Sequence, residues 1–403
     1  MRPTRIAIVG GGPAGAFAAA ELAHAGNEVC LFDEKLAWEK PCGGGITDKA
    51  LVRWPFLRDL PVERNWIDHC ELIAPSGQRA RLELDRQIAI FSRYTLNGLL
   101  LDRARSSGAE IVQERITGIR REGKSWWLSS RDRSHEADFM VLAAGARTFF
   151  RKMFSEELGP ENFMVALGYY IPGTSQTAQI KFLDGLHGYI WVFPRADHFS
   201  AGICGRMHGK STAELRHILE ESLPELGLTH EGAQFYAHLI PSLSASALRN
   251  SRFCGDGWAM VGDAAGFVDA ITGEGLYYAL RSAELFCEAF LEGTSEAYAS
   301  ALDREILPEL ERAARIADRF YSGEWLGAPV VERMVQLTTS SERFRRLMGD
   351  LFAGTQEYST LKQRVYRSMP TIAAQALVST LWRGDREEDE MDEVSLTGAG
   401  NRT

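Results

Sequence analysis

Ile6-Ala7-Ile8-Val9-Gly10-Gly11-Gly12-Pro13-Ala14-Gly15 lies near the start of this 403-residue chain and decides how the rest is read. Four apolar residues predict a buried strand, and the glycines that follow predict a turn too tight for side chains. Gly10 makes the turn, Gly12 admits a pyrophosphate, and Gly15 lets the next helix pack close. Pro13 and Ala14 open that helix, whose first N–H groups point at the phosphates. A second strand, Glu28-Val29-Cys30-Leu31-Phe32, delivers Asp33 and then Glu34. A carboxylate at that place accepts ribose hydroxyls. The pattern predicts a dinucleotide site for an unphosphorylated ribose, as in FAD or NAD, over NADPH.

Composition narrows the class. The chain is 45% hydrophobic, enough for a large core and more than one lobe. Its net charge is -9 without a long Lys/Arg run, which argues against nucleic-acid binding. Cysteines 30, 42, 70, 204, 254 and 287 form no CxxC pair, and no His/Cys cluster has zinc-like spacing, so neither a disulfide framework nor a metal is expected. The nucleotide strand starts too early to leave room for a signal peptide, and no apolar run is long enough to span a bilayer. The expectation is a cytoplasmic protein with peripheral membrane contact left open.

Further along, Trp66 to Ile90 reads as strands broken by Pro75-Ser76-Gly77, and Arg93 to Ser107 as a helix. Val141-Leu142-Ala143-Ala144-Gly145-Ala146 is another buried strand ending in small residues. Residues 162–206 are strand-rich, and two helical segments are expected before Leu248. Trp258 to Val261 forms a short strand, Gly273 to Leu291 a helix, and the remainder to Leu381 is mostly helical. The polar end, 385–403, lacks the apolar surface to order itself.

Val261-Gly262-Asp263-Ala264-Ala265-Gly266, followed by Thr272-Gly273-Glu274-Gly275, is a second glycine-rich constellation. With the N-terminal turn and Arg93, it resembles the flavoprotein superfamily of aromatic hydroxylases, flavin-dependent halogenases and geranylgeranyl reductases. The resemblance implies FAD as cofactor, with Asp263, delivered by Gly262, at the ribitol and Arg93 near the phosphates. Gly273 and Gly275 would approach the isoalloxazine. Hydroxylases of this superfamily often carry an Asp-Gly pair where this chain has Ala144-Gly145, a departure that disfavours their reaction cycle.

Two more segments resemble the geranylgeranyl reductase branch: Pro41-Cys42-Gly43-Gly44-Gly45 and Gly188-Tyr189-Ile190-Trp191-Val192-Phe193-Pro194, continued by Gly202-Ile203-Cys204-Gly205. Cys204 stands where that branch usually has a small residue. Gly43, Gly44 and Gly45 would shape the flavin environment, and Cys42 is a candidate proton donor, polar gate or packing residue. Strand periodicity puts Tyr189, Trp191 and Phe193 on one face, either as sheet core or as an apolar wall between substrate and flavin. Tyr189 and Trp191 join Cys42 as catalytic candidates; Phe193 and Pro194 join them at the substrate. Tyr169 is a candidate substrate-facing hydroxyl or a core tyrosine. The nine histidines form no triad or metal site; His187 and His198 receive no role.

The expected fold is α/β: a Rossmann-like FAD-binding domain (1–65, 91–160 and 248–295) interrupted by an antiparallel β-sheet substrate domain (66–90 and 161–247). A helical C-terminal region (296–384) is expected to serve ordinary helix packing, to close an apolar channel or to meet a membrane with Trp325 and Trp382 as candidate anchors, and a solvated tail follows. The expected function is FAD-dependent saturation of carbon–carbon double bonds in a geranylgeranyl or other lipid chain. An aromatic or polyketide hydroxylase is the alternative, and a halogenase comes after it. Ferredoxin, NAD(P)H through another protein, and direct NAD(P)H reduction stay open as electron donors.

Overall fold

The opening strand, Arg5–Val9, sits inside a six-stranded sheet and pairs in parallel with Glu28–Phe32 on one side and Phe139–Leu142 on the other. Beyond these lie Glu110–Val112 and Trp258–Met260, also parallel, and the short antiparallel edge Cys254–Gly255. The computed structural model describes residues 4–146, 149–206, 210–293 and 295–382. The expected tail, 385–403, lies outside the described residues.

Parallel strands buried on both faces need apolar residues throughout, and Ile6, Ala7, Ile8 and Val9 supply them. The following helix, Pro13–His24, is rich in small residues: Ala14, Gly15, Ala16, Ala18, Ala19, Ala20 and Ala23. That allows it to wedge between the helices Arg93–Ser106 and Leu276–Glu292 while packed on the sheet. A three-stranded meander (Gly118–Glu122, Ser125–Ser129, Ser134–Ala137), not foreseen from the sequence, packs against the same sheet.

The second sheet has eight strands, in the order Gln234–Pro241, Phe163–Pro172, His198–Arg206, Gly188–Pro194, Thr177–Phe182, Asn65–Ile73, Arg79–Ile90 and Gly45–Ile46. All neighbours are antiparallel except Thr177–Phe182 with Asn65–Ile73. The two helical segments expected here are Thr212–Ser222 and Ala245–Asn250, but strand Gln234–Pro241, which the sequence did not foretell, lies between them. The first helix forms behind a Ser211/Glu214 capping box, and the strand that follows is at the edge of the sheet. Its single pairing partner, Phe163–Pro172, is distant in sequence, so local pattern did not reveal it.

Period-2 alternation divides this sheet into two faces. One carries Tyr169, Ile190, Val192 and Ile203 into a core covered by helix Thr212–Ser222. The other carries Ala166, Trp191, Cys204 and Tyr236 toward the nucleotide sheet. The C-terminal helices Leu307–Ser322, Val330–Ser340, Glu342–Phe352, Tyr358–Ser368 and Thr371–Leu381 lie against strands Asn65–Ile73, Arg79–Ile90 and Thr177–Phe182. Their amphipathic faces are written in residues such as Leu310, Ala313, Ala314, Ala317 and Tyr321.

Among the described residues no helix is long and apolar enough to cross a membrane, and no three His, Cys, Asp or Glu side chains gather as a metal site.

Candidate functional site

The two sheets and the C-terminal helices enclose one continuous cavity of about 1430 Å³. A single small ligand fills roughly 300–1,000 Å³, so the space suits two occupants. One arm runs over the opening turn, lined by Gly10, Gly12, Pro13, Ala14, Asp33, Glu34, Arg93 and Asp263. The other runs between the eight-stranded sheet and the C-terminal helices, past Ile180, Leu84, Met334, Phe344 and Leu377. Cys42, Gly43, Gly44, Gly45, Tyr189, Trp191, Phe193, Gly273 and Gly275 lie along the same wall.

The nucleotide arm has the shape a dinucleotide requires. Gly10 adopts φ +112°, and a side chain there would meet the backbone at Ala143. Gly15 is not at the cavity; a Cβ on it would collide with the Gly10 carbonyl, so its role is close helix packing. A Cβ on Gly12 would meet nothing within 4 Å, which leaves the backbone open to an incoming group. Asp33 braces the turn, accepting from Gly11 N at 2.7 Å and from the Lys35 and Leu36 amides at 2.8 Å. Arg93 is 3% exposed; its Nη2 donates to Asn97 Oδ1 at 3.2 Å, and its Nε is buried without a partner. A buried cation with an unspent donor beside an open glycine turn fits a dinucleotide phosphate. Lys40 Nζ lies 3.0 Å from Asp263 Oδ2. Burial pushes the Asp263 carboxyl up, but Lys40, Arg93 and His238 together outweigh it and hold the group below its usual range. Gly262 lies behind this carboxylate, its amide donating to Ser282 Oγ at 2.9 Å.

A polar network joins the two reductase-like segments. Arg195, 0% exposed, ion-pairs with Glu39 and donates from Nη2 to the Cys42 carbonyl at 2.7 Å. Ser200 Oγ donates to the same carbonyl at 2.9 Å, so the Tyr236 hydroxyl, 2.9 Å away, donates to Ser200. Trp191 Nε1 also reaches Ser200 Oγ, at 3.4 Å. Glu39 accepts in addition from the Arg93 amide at 2.8 Å and the Tyr94 amide at 3.3 Å, at the start of helix Arg93–Ser106. Burial raises the Glu39 carboxyl, but Arg195, Ser92 and those amides bring it below its usual range. The Cys42 thiol accepts the Gly44 amide at 3.4 Å.

The aromatic strand presses on both glycine loops. A Cβ on Gly43 would come 2.5 Å from the Phe193 ring, and one on Gly273 would come 2.8 Å from the Tyr189 hydroxyl. Tyr189 donates to the Thr272 carbonyl at 2.5 Å. Gly273, at φ +70°, belongs to a loop and not to the helix; Asp269 Oδ1 ties that loop by accepting from the Ile271 and Thr272 amides at 2.8 and 2.9 Å. The helix therefore starts at Leu276, three residues later than the apolar pattern implied.

Several expectations change. Tyr169 is 2% exposed on the far face of the sheet, where its hydroxyl donates to Glu220 and accepts from Arg216 Nε at 3.0 Å. It is a core tyrosine; Tyr170, one residue on, faces the cavity because alternation turns it over. Pro194 does not line the cavity, and its carbonyl accepts from Asn65 Nδ2 at 3.1 Å. Cys204 does line it; burial pushes its thiol up to about 12, which makes it an inert wall. Trp325, a candidate membrane anchor, is 4% exposed and faces the cavity, as does the half-buried Trp382. Sequence reasoning missed Glu39, Lys40 and Arg195. The signal was present as charges flanking the two motifs, in Glu39-Lys40-Pro41 and Pro194-Arg195.

Residues 3–167 match the FAD binding domain family. The protein is an FAD-binding flavoenzyme. Along nearly its full length this flavoenzyme is similar to geranylgeranyl diphosphate reductases. The chloroplastic enzyme of Arabidopsis thaliana is 25% identical over 98% of this chain and 89% of its own. That of Synechocystis sp. is 27% identical over 86% of this chain and 89% of its own. Its fold matches the crystal structure of a geranylgeranyl bacteriochlorophyll reductase-like protein from Thermoplasma acidophilum with a TM-score of 0.72. That match has 19% identity and covers 91% of this chain and 99% of the other.

Proposed function

We propose that this flavoenzyme saturates carbon–carbon double bonds in an isoprenoid chain of geranylgeranyl type. One observation carries the reading: the nucleotide arm and a long apolar arm are a single cavity, meeting beside Cys42, Tyr189 and the Gly273–Gly275 loop. Similarity to geranylgeranyl diphosphate reductases supports the same substrate class. The hydroxylase alternative has less behind it, since Ala144 occupies the place of that group's aspartate.

When bound and reduced, the cofactor supplies hydride equivalents. The chain's own residues do the rest. Gly10, Gly12, Pro13, Ala14, Asp33, Glu34 and Arg93 would hold the adenosine and pyrophosphate, while Asp263 and Lys40 would hold the polar linker. The Arg195–Glu39 pair fixes the Cys42 carbonyl, and Gly43 to Gly45 would then present backbone to a planar ring. Tyr189, Trp191 and Phe193 form the wall along which the chain lies. An unactivated alkene needs close orientation in a dry site, and the apolar arm provides it.

The test is anaerobic. Chemically reduced, FAD-loaded protein is mixed with a geranylgeranyl lipid, and flavin absorbance and product mass are followed together. Reoxidation coupled to a gain of two hydrogens per bond is the expected result; neither change would overturn the reading. Cys42→Ala tests the thiol: FAD stays bound and alkene reduction slows, whereas an unchanged single-turnover rate removes the thiol from the chemistry.

A further inference from the structure

Reducing an alkene requires a proton as well as a hydride, and several titratable groups that line the cavity are committed to other partners. The Tyr189 hydroxyl is committed to the Thr272 carbonyl, and burial drives its acidity far out of reach. The Cys204 thiol is pushed up to about 12. Tyr170 donates to the Glu39 carbonyl at 3.3 Å and is likewise raised by burial. Asp269 is committed to structure: Oδ1 accepts from two loop amides and from the Tyr358 hydroxyl at 3.1 Å.

Glu274 is placed differently. It lines the cavity between two glycines, of which Gly273 borders the Tyr189 hydroxyl and Gly275 lies toward Asp263, where a Cβ would come 3.5 Å from Oδ1. Its loop therefore stands where the chain arm meets the cofactor arm, and its carboxyl faces the Tyr277 amide, the Thr47 hydroxyl and Lys49 at the cavity wall. The Asp269 and Tyr189 contacts hold its loop rigid, and the Tyr277 amide donates to Oε1 at 3.1 Å.

We propose that Glu274 is the catalytic acid that protonates the alkene, a role that rests on the reductase reading above. The alkene takes an electron pair and a hydrogen from the reduced cofactor at one carbon. Its π bond breaks, and the second carbon takes the Glu274 proton. The carboxylate regains a proton from water at the exposed Thr272–Gly273 side.

The environment favours this assignment. Burial raises the Glu274 carboxyl, the Tyr277 amide lowers it and Asp269 raises it again, with a net position of about 7. The titratable groups facing it are Asp269 from its own loop, Lys49 from helix Asp48–Arg53, and Tyr277 and Tyr278 from the following helix. Tyr358 stands behind Asp269, its amide donating to Glu309 at 2.6 Å.

The test uses the full chain loaded with FAD, reduced anaerobically and mixed with the geranylgeranyl lipid across a pH series. The wild-type single-turnover rate falls about tenfold per unit above roughly neutral pH, as expected for a general acid. Glu274→Gln retains FAD, loses roughly 100-fold or more in rate and loses that pH limb. Glu274→Asp, with the same chemistry and shorter reach, recovers part of the rate and the limb. Independently of activity, carboxyl ¹³C spectra of glutamate-labelled, cofactor-free protein show one signal titrating near neutrality that is missing in Glu274→Gln. Equal rates and pH profiles in wild type and Glu274→Gln would overturn the assignment alone. A wild type that leaves the lipid unreduced would overturn the substrate reading and this step with it. If Glu274→Gln fails to fold, a flat wild-type profile with no neutral carboxyl titration would overturn the proposal.

Discussion

The two arms of the cavity are built by opposite means. The nucleotide arm is a backbone surface: a glycine turn, a helix start and a few fixed charges, most of them in short runs of sequence. The chain arm is a side-chain surface, assembled from strands Arg79–Ile90 and Thr177–Phe182 and from helices after Leu307. Where a ligand is held by backbone, glycine placement matters and a side chain intrudes. Where it is held by apolar bulk, volume matters and no single residue is indispensable. Cys42 to Gly45 belongs to both, since it lines the shared cavity while Arg195 and Ser200 reach its backbone from the sheet.

The comparison can be broken first at that shared point. Arg195→Met takes the cation from half-buried Glu39, which keeps only its Ser92 and amide donors, and costs about 1.5–3 kcal/mol of folding stability in denaturant titration. Glu39 also makes the loss pH-dependent. Its carboxyl is lowered in the folded chain, so its contribution is complete above its unfolded value of about 4.3 and disappears as pH falls through the folded value. The gap between wild type and Arg195→Met therefore narrows in acid. An equal gap at neutral and acid pH would show that the pair is not what joins the arms.

Ile180→Trp tests the chain arm by volume. Overfilling by about 1–3 kcal/mol predicts a 10-fold or greater loss of geranylgeranyl turnover, with FAD bound as before and shorter alkenes less affected. Loss of FAD instead would mean that the arms are not separable. Gly12→Ala tests the nucleotide arm by intrusion. Its Cβ enters open space, so folding is unchanged while FAD affinity falls by about tenfold, read by titration of absorbance. The smallest effect belongs to Tyr169→Phe, behind the sheet. It removes the hydroxyl bonded to Glu220 and lowers stability by about 0.5–1.5 kcal/mol, with KM and kcat unchanged. A raised KM would return Tyr169 to the substrate face.

Some of this was legible before any coordinates. The run from Ile6 to Gly15, the acid at Asp33 and the late Gly262-Asp263 constrain local backbone so tightly that few conformations satisfy them. Tyr189, Trp191 and Phe193 share a face because a strand alternates, whatever it packs against. The same rule separated Tyr169 from Tyr170, but which of them met the cavity depended on where helix Thr212–Ser222 docked. Strand Gln234–Pro241 was illegible for a related reason, since it is held by an edge pairing with a segment far away in the chain.

Resemblance to a flavoprotein superfamily singled out FAD, but by itself the sequence determined a dinucleotide-binding α/β protein and an aromatic strand with its three rings on one face. These follow from short-range sterics: φ angles open to glycine, helix starts and the two-residue repeat. Only tertiary structure decided that Glu39 and Arg195 hold the Cys42 loop, that Trp325 faces inward, and that Glu274 stands between the two arms. Each of these depends on burial and on charges brought together from distant positions, and neither burial nor proximity is a property of a linear chain.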